Sequence, residues 1–325
     1  MGNNICTKEE TEQGEIPFTP YNYENPVIEE IPMTKAFDKE GVHFPPSSVA
    51  KKLNDDSFEK HIPSDVKTKL RQCKNNNDVF NQLHFKSDDF QGVFKYTKTD
   101  EIYTGLFDDK GNKDRLGKQI WDDGNYYEGA FENGKINGYG RLITKDLDVY
   151  EGEFRDNELS GKGKYNYSNG LVYEGEFLNN NVAGYGEEVY PDGTVFKGNF
   201  ENGEKNGKGL FVWANGDKYE GEFKNNEMHG KGVYTYNDGR YYEGGFKNGK
   251  RNGFGEFNWN DGQFYVGKYE DDLKHGEGEF HWSNKHIFKG KYVKGKKEGE
   301  GLIYSPDGTK RRGIFSNDKM VKWLD

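Results

Sequence analysis

Eight aromatic residues stand 23 positions apart without a slip: Tyr127, Tyr150, Tyr173, Phe196, Tyr219, Tyr242, Tyr265 and Phe288. Two positions after each comes a glycine, from Gly129 to Gly290, and two further a second aromatic, from Phe131 to Tyr292. Every copy then carries a Gly-x-Gly pair, from Gly138/Gly140 to Gly299/Gly301. A fixed period in the twenties means a repeat array, whose function resides in an extended surface rather than a single pocket.

Within a copy the side chains separate with a period of two, the signature of a strand. In the copy at 219, Tyr219, Gly221 and Phe223 share one face, and Glu220, Glu222 and Lys224 the other. Asn225 to His229 follow as a turn-rich stretch without apolar alternation. The chain resumes with Gly230, Gly232, Tyr234 and Tyr236 on the ring-bearing face, and Asn237-Asp238-Gly239 signals a tight turn. Each copy is therefore expected to be a β-hairpin. The fold class follows: an all-β repeat array, an elongated single-layer antiparallel meander of 23-residue hairpins. Glycines opposite rings favour curling with the aromatics on the concave side. A column of Tyr167, Tyr190, Trp213, Tyr236, Trp259 and Trp282 is expected to line an open trough there. Rings in such a trough carry the fold and also offer a site for a partner helix or extended peptide.

This pattern resembles the MORN repeat (membrane occupation and recognition nexus), whose core reads Tyr-x-Gly-x-Phe-x-x-Gly-x-x-x-Gly-x-Gly. The stretch from Tyr219 to Gly232, YEGEFKNNEMHGKG, differs from it only at the turn. The resemblance implies a non-enzymatic scaffold at a membrane, the cell cortex, a cilium or a basal body. It also leaves two alternatives: an axonemal or basal-body structural component without a lipid anchor, and a regulatory module of a lipid kinase or methyltransferase complex.

The array frays at both ends. Residues 90–126 read as degenerate copies, 127–310 as regular ones and 311–325 as a partial one, which protects the edges of an open sheet. Tyr103-Thr-Gly105-Leu-Phe107 opens a copy in which Arg115 replaces the first glycine of the pair, and Phe90 to Tyr96 resembles a second hairpin arm. Residues 45–89 read as a short helical cap. Ser64 is the expected N-cap of a helix with Val66, Leu70 and Cys73 along one side. Ser47 or Ser48 is expected to start another, with Val49 and Leu53. Val79, Phe80, Leu83 and Phe85 supply an apolar cluster to cover the first hairpin. Residues 1–44, acidic and punctuated by prolines, read as poorly ordered.

Composition narrows the partners. The hydrophobic fraction is 32%, nearly half of it aromatic, too little for a thick aliphatic core. No segment reaches the roughly 20 apolar residues of a membrane-spanning helix, and no secretory signal is present. Cys6 and Cys73 lie far apart, which points to a reducing, cytoplasmic compartment. A net charge of −10 disfavours nucleic acid. Residues 1–30 hold Lys8 against seven acids, whereas residues 285–322 hold eleven Lys/Arg against four acids. The basic patch comprises Lys289, Lys291, Lys294, Lys296, Lys297, Arg311 and Arg312, and suits an anionic lipid or an acidic protein tail. Exposed terminal strands leave a homo-oligomer open.

The start, Met1-Gly2-Asn3-Asn4-Ile5-Cys6-Thr7, offers Gly2 for myristoylation and Cys6 for palmitoylation. One chain gives only marginal attachment, and the glutamates that follow cannot supply a basic second signal, so both are expected. Cys6 stands where the usual motif has Ser or Thr. Enzymatic signatures are missing: Gly-Lys is never followed by Ser or Thr, and no nucleophile elbow or kinase loop appears. His229 and His275 occupy a turn position, and His281 and His286 lack supporting cysteines, so neither a metal nor a cofactor is expected.

Overall fold

The computed structural model describes residues 50–52, 58–74, 93–96 and 100–325. Gly216 opens the second of two compact units. In the first, β1 (Ala50–Lys52) pairs with β2 (Val93–Tyr96), and β2 pairs with the strand Ile102–Phe107. From there every strand pairs antiparallel with the next, as far as Glu204–Val212. The second unit repeats this meander from Lys218–Lys224 to Lys319–Trp323.

Local chemistry sets the hairpin. Asn225 and Asn226 take φ of 49° and 69°, the geometry of a two-residue turn that matches the twist of its strands. The turn is therefore only two residues long. The strand resumes at Glu227, and Met228 is buried, where a longer turn-rich stretch is expected from the sequence. Past the turn a bulge shifts the register between Gly221 and Glu222. The bulge leaves a carbonyl without a ladder partner, and the opening tyrosine fills that vacancy. Tyr219 donates its hydroxyl to the Glu222 carbonyl at 2.9 Å, as Tyr150 does to Glu153 at 2.8 Å.

To reach that carbonyl the ring must lie flat across two paired glycines. A Cβ on Gly209 would meet the Phe196 ring at 2.5 Å, so a side chain there collides with the core. Gly207, the first of its pair, differs from the expectation that both glycines face the rings. It sits in the bulge at φ +89°, and a Cβ there would meet only Asn199. Its requirement is backbone conformation, not space.

Rings then lock the hairpins together. Tyr127 packs edge-on against Phe131 of its own hairpin and against Phe154 of the next, both at 5.2 Å. The same step recurs to Tyr173 and Phe200 in the first unit, and from Tyr219 to Phe315 in the second. Main-chain bonds reinforce each step: the turn amide of Asn157 donates to Ile136 O, and Ile136 N donates back to Asn157 Oδ1.

α1 (Ser64–Lys74) starts at Ser64, one residue earlier than a cap at Ser64 implies, since the carbonyl of Pro63 accepts its first bond, from Lys67. Val66 and Leu70, with Phe58 and Ile62, pack against Ile120, Tyr126, Ile143 and Val149; Cys73 adjoins the cluster. These strand residues alternate with the rings, so α1 covers the outward face of the first repeats. Ala50–Lys52 form a strand in place of the helix expected from Ser47 or Ser48. Val79, Phe80, Leu83, Phe85, Gly2 and Cys6 lie outside the described residues.

Candidate functional site

The ring face is only partly open. Tyr190 and Trp259 are buried, and Tyr167, Trp213, Tyr236 and Trp282 are half-buried. Each stacks on a neighbour two residues away or in the adjoining repeat: Tyr167 on Tyr165 at 4.3 Å, Trp213 on Phe211 at 4.6 Å, Tyr236 on Phe257 at 5.8 Å. Trp259 joins Phe257 at 4.4 Å and Phe280 at 5.5 Å, and Trp282 follows at 4.9 Å from Phe280. The residues of the expected trough thus pack as a second ladder of rings, four of them with part of their surface exposed.

Part of this face is filled by a column absent from the strand-by-strand expectation. Ile136, Leu159, Val182 and Met228 fill it in four repeats, and Lys113, Lys205, Arg251, Lys274 and Lys297 in five others, all buried. The cations lie over rings. Lys274 Nζ is 4.9 Å from the Phe280 centroid and 5.1 Å from that of Tyr265; Lys297 Nζ is 4.7 Å from that of Trp282. Their aliphatic stems replace the apolar residue while the charge meets π-faces and acids. Lys205 pairs with Glu188 at 2.6 Å and donates to the Tyr190 hydroxyl at 3.0 Å. Burial, with Glu188 beside it, pushes the Tyr190 phenol well above its ordinary range.

The expected basic patch divides. Lys297 turns inward, and Arg311 lies over Trp323 at 3.7 Å. Lys289 pairs with Glu279 at 2.8 Å and Arg312 with Glu300 at 3.2 Å. Lys291, Lys294 and Lys296 remain exposed, Lys296 donating to Asn317 Oδ1.

A groove opens on the face opposite the rings. It has about 900 Å³, lies in the second unit and is floored by Gly267, Gly278, Gly290 and Gly301. Its walls are outward side chains: Phe254, Val266 and Leu302, with Glu277, Glu279, Lys289, Glu300 and Arg312. Phe254 is 67% exposed. Its column holds charges at Lys231, Glu277 and Glu300 and tyrosines at Tyr139 and Tyr185, so Phe254 is the aromatic without a polar group in it. Among the described residues no group of His, Cys, Asp and Glu is arranged to hold a metal, and no helix is long and apolar enough to cross a membrane.

A search of curated proteins returns no match. Among solved structures, the TCP domain of Drosophila melanogaster SAS-4, in complex with a proline-rich motif of Ana2, aligns at 17% identity. That alignment covers 49% of this chain and 87% of that one, with a TM-score of 0.31. The TCP10 domain of Danio rerio CPAP aligns at 12% identity over 72% and 95%, TM-score 0.33. A streptogramin B lyase aligns at 10% identity over 72% and 85%, TM-score 0.16. Scores this low carry no argument about function. The MORN repeat model matches eight times, at 127–149, 150–172, 173–195, 196–218, 219–239, 242–264, 265–287 and 288–310. With more than half of its length matched, the chain belongs to the MORN-repeat family.

Proposed function

We propose that this protein is a non-enzymatic scaffold that holds a protein partner on the outward face of its repeats and is tethered to a membrane through acylated Gly2 and Cys6. The observation that carries the partner surface is the contrast between faces. Rings consume one face in packing, whereas the groove on the other exposes Phe254 beside Val266 and Leu302. A large exposed ring in a groove rimmed by charge has the anatomy of an interaction site. Lys291, Lys294 and Lys296 add a salt-sensitive contact to an anionic surface.

The tether rests on the sequence Met1-Gly2 with Cys6, because one acyl chain alone binds membranes marginally. With that tether the protein works in the cytoplasm at a cortical or ciliary membrane. Intact mass of the native protein tests it: myristate and palmitate are expected, and Gly2→Ala should release the protein from the membrane fraction. An unmodified N-terminus together with unchanged fractionation supports instead a structural component without a lipid anchor. A photo-crosslinking residue at position 254 tests the partner surface in cells. A discrete protein adduct is expected from position 254 and none from position 259. Adducts from position 259 alone would return the site to the ring face.

A further inference from the structure

We propose that the outward groove of the second unit seats a short, basic, amphipathic helix, as the outward face of the first repeats seats α1. This rests on the reading of the groove as the partner surface, and deepens it by naming the partner's chemistry.

The repeat makes the two places comparable column by column. Arg141 stands in the column of Glu279 and Leu302, Glu128 in that of Val266, Lys289 and Arg312, and Tyr126 in that of Tyr241. At the covered end, where α1 packs, Arg141 is 0% exposed, Glu128 3% and Tyr126 1%. In the second unit Tyr241, outside the groove, is 38% exposed, and Phe264 and Ile287 of the same column are half-buried. Lys289 and Glu279 in the groove keep 40% and 36% of their side-chain surface. Thus one outward face is covered by a helix over the first repeats and lies bare in the second unit among the described residues. α1 shows what fits: Val66 and Leu70 one turn apart turn inward, and Lys67, Lys69, Arg71 and Lys74 outnumber Asp65.

Charge selects the sign. Glu279 and Glu300 neutralise Lys289 and Arg312 within the groove. Lys310 also lines the groove, against Glu277 and Asp325, so four acids there face three bases. The excess is one acid, so residues 1–30 of this chain, with seven acids against Lys8, have the wrong charge. Length follows from the six strands between Phe254 and Arg312. Five spacings of about 4.8 Å give roughly 24 Å, the length of a helix of about 16 residues.

A labelled synthetic peptide of residues 58–74 serves as the probe, with the full chain as receptor and fluorescence anisotropy as readout. Saturable binding is expected, weakened at least tenfold by Phe254→Ser and by Glu277→Lys and unchanged by Glu243→Lys, an exposed outward residue outside the groove. Because Phe254 is exposed, its loss leaves the packed rings intact. Two further peptides test the chemistry. Reversing Lys67, Lys69, Arg71 and Lys74 to Glu should abolish binding, and rearranging the same residues into polar–apolar alternation should weaken it tenfold. If the alternating peptide binds equally and still depends on Phe254, the groove takes an extended chain and the helix is overturned while the partner surface stands. Equal binding of the charge-reversed peptide overturns the basic character. If no peptide binds, the helical proposal fails, and crosslinking from position 254 decides separately whether the groove is a partner surface.

Discussion

The Lys205 ammonium and the Glu188 carboxylate meet at 2.6 Å with both side chains closed to solvent. Their columns hold Val182 or Met228, and Tyr165 or Phe211, in other repeats, so this ion pair replaces an apolar contact. Removing one partner of a buried pair leaves an uncompensated charge, whereas replacing both by apolar groups is often neutral. Lys205→Met should therefore destabilise the protein by about 3–5 kcal/mol, and Lys205→Met with Glu188→Leu should recover most of that loss. Denaturant midpoints of the single and double variants measure it. A double variant as weak as the single one contradicts the interchangeability of the two columns.

Lys113 gives a pH signature. Burial drives its amine down from 10.5 to about 8, against the pull of Glu101. Below pH 8 the folded and unfolded chains both carry the proton, and the cost of burying it is fully present. Between about 8 and 10.5 the unfolded chain binds a proton that the folded one does not, so stability rises with pH. The rise is at most roughly 3 kcal/mol. Near pH 10 buried phenols such as Tyr127 oppose it, because they stay protonated in the fold while unfolded tyrosines ionise. Unfolding at pH 7 and pH 9.5 should show the gain in the natural chain and not in Lys113→Met/Glu101→Gln. An identical pH profile in the two chains rules Lys113 out as the source.

Phe288 lacks the hydroxyl that Tyr265 donates to the Lys268 carbonyl at 3.2 Å, although the two rings occupy the same position. Phe288→Tyr should supply that bond to Lys291 O and stabilise the protein by about 1 kcal/mol. A loss of stability in thermal unfolding would mean that the pocket at Phe288 excludes the oxygen.

The two glycines of one pair should respond differently. At Gly207, with φ +89°, Asn should cost less than Ala, because Asn tolerates the left-handed region. At Gly209 both should be strongly destabilising, because either Cβ enters the Phe196 ring. Denaturation of the four variants separates the two causes; equal rankings at both sites would refute the distinction.

Much of the hairpin was legible because its signals are local: Asn225-Asn226 and Asn237-Asp238-Gly239 for the turns, and Tyr-x-Gly-x-Phe for the ring side. The column from Lys113 to Lys297 was not. Read along one strand, Met228 looks like part of a turn, and Lys205 or Lys274 looks solvated. Only reading down the 23-residue period shows a site that accepts Ile136, Met228 and lysine stems alike. The direction of the groove was also hidden. Its walls, Phe254, Val266 and Leu302, come from three strands, and one strand's alternation does not show which outward residues adjoin. Phe254 was readable only by comparison down its column, where Lys231 and Glu277 are charged and Tyr139 and Tyr185 carry a hydroxyl.

We propose the outward groove, and not the ring face, as the working surface. Hydroxyl-radical footprinting of the full chain, purified and in cells, tests it most directly. In the purified protein Phe254 should oxidise rapidly, while Tyr190 and Trp259 stay protected; in cells, protection should appear at Phe254. Rapid oxidation of Tyr190 and Trp259 in the purified protein, with protection appearing there and not at Phe254 in cells, would contradict it.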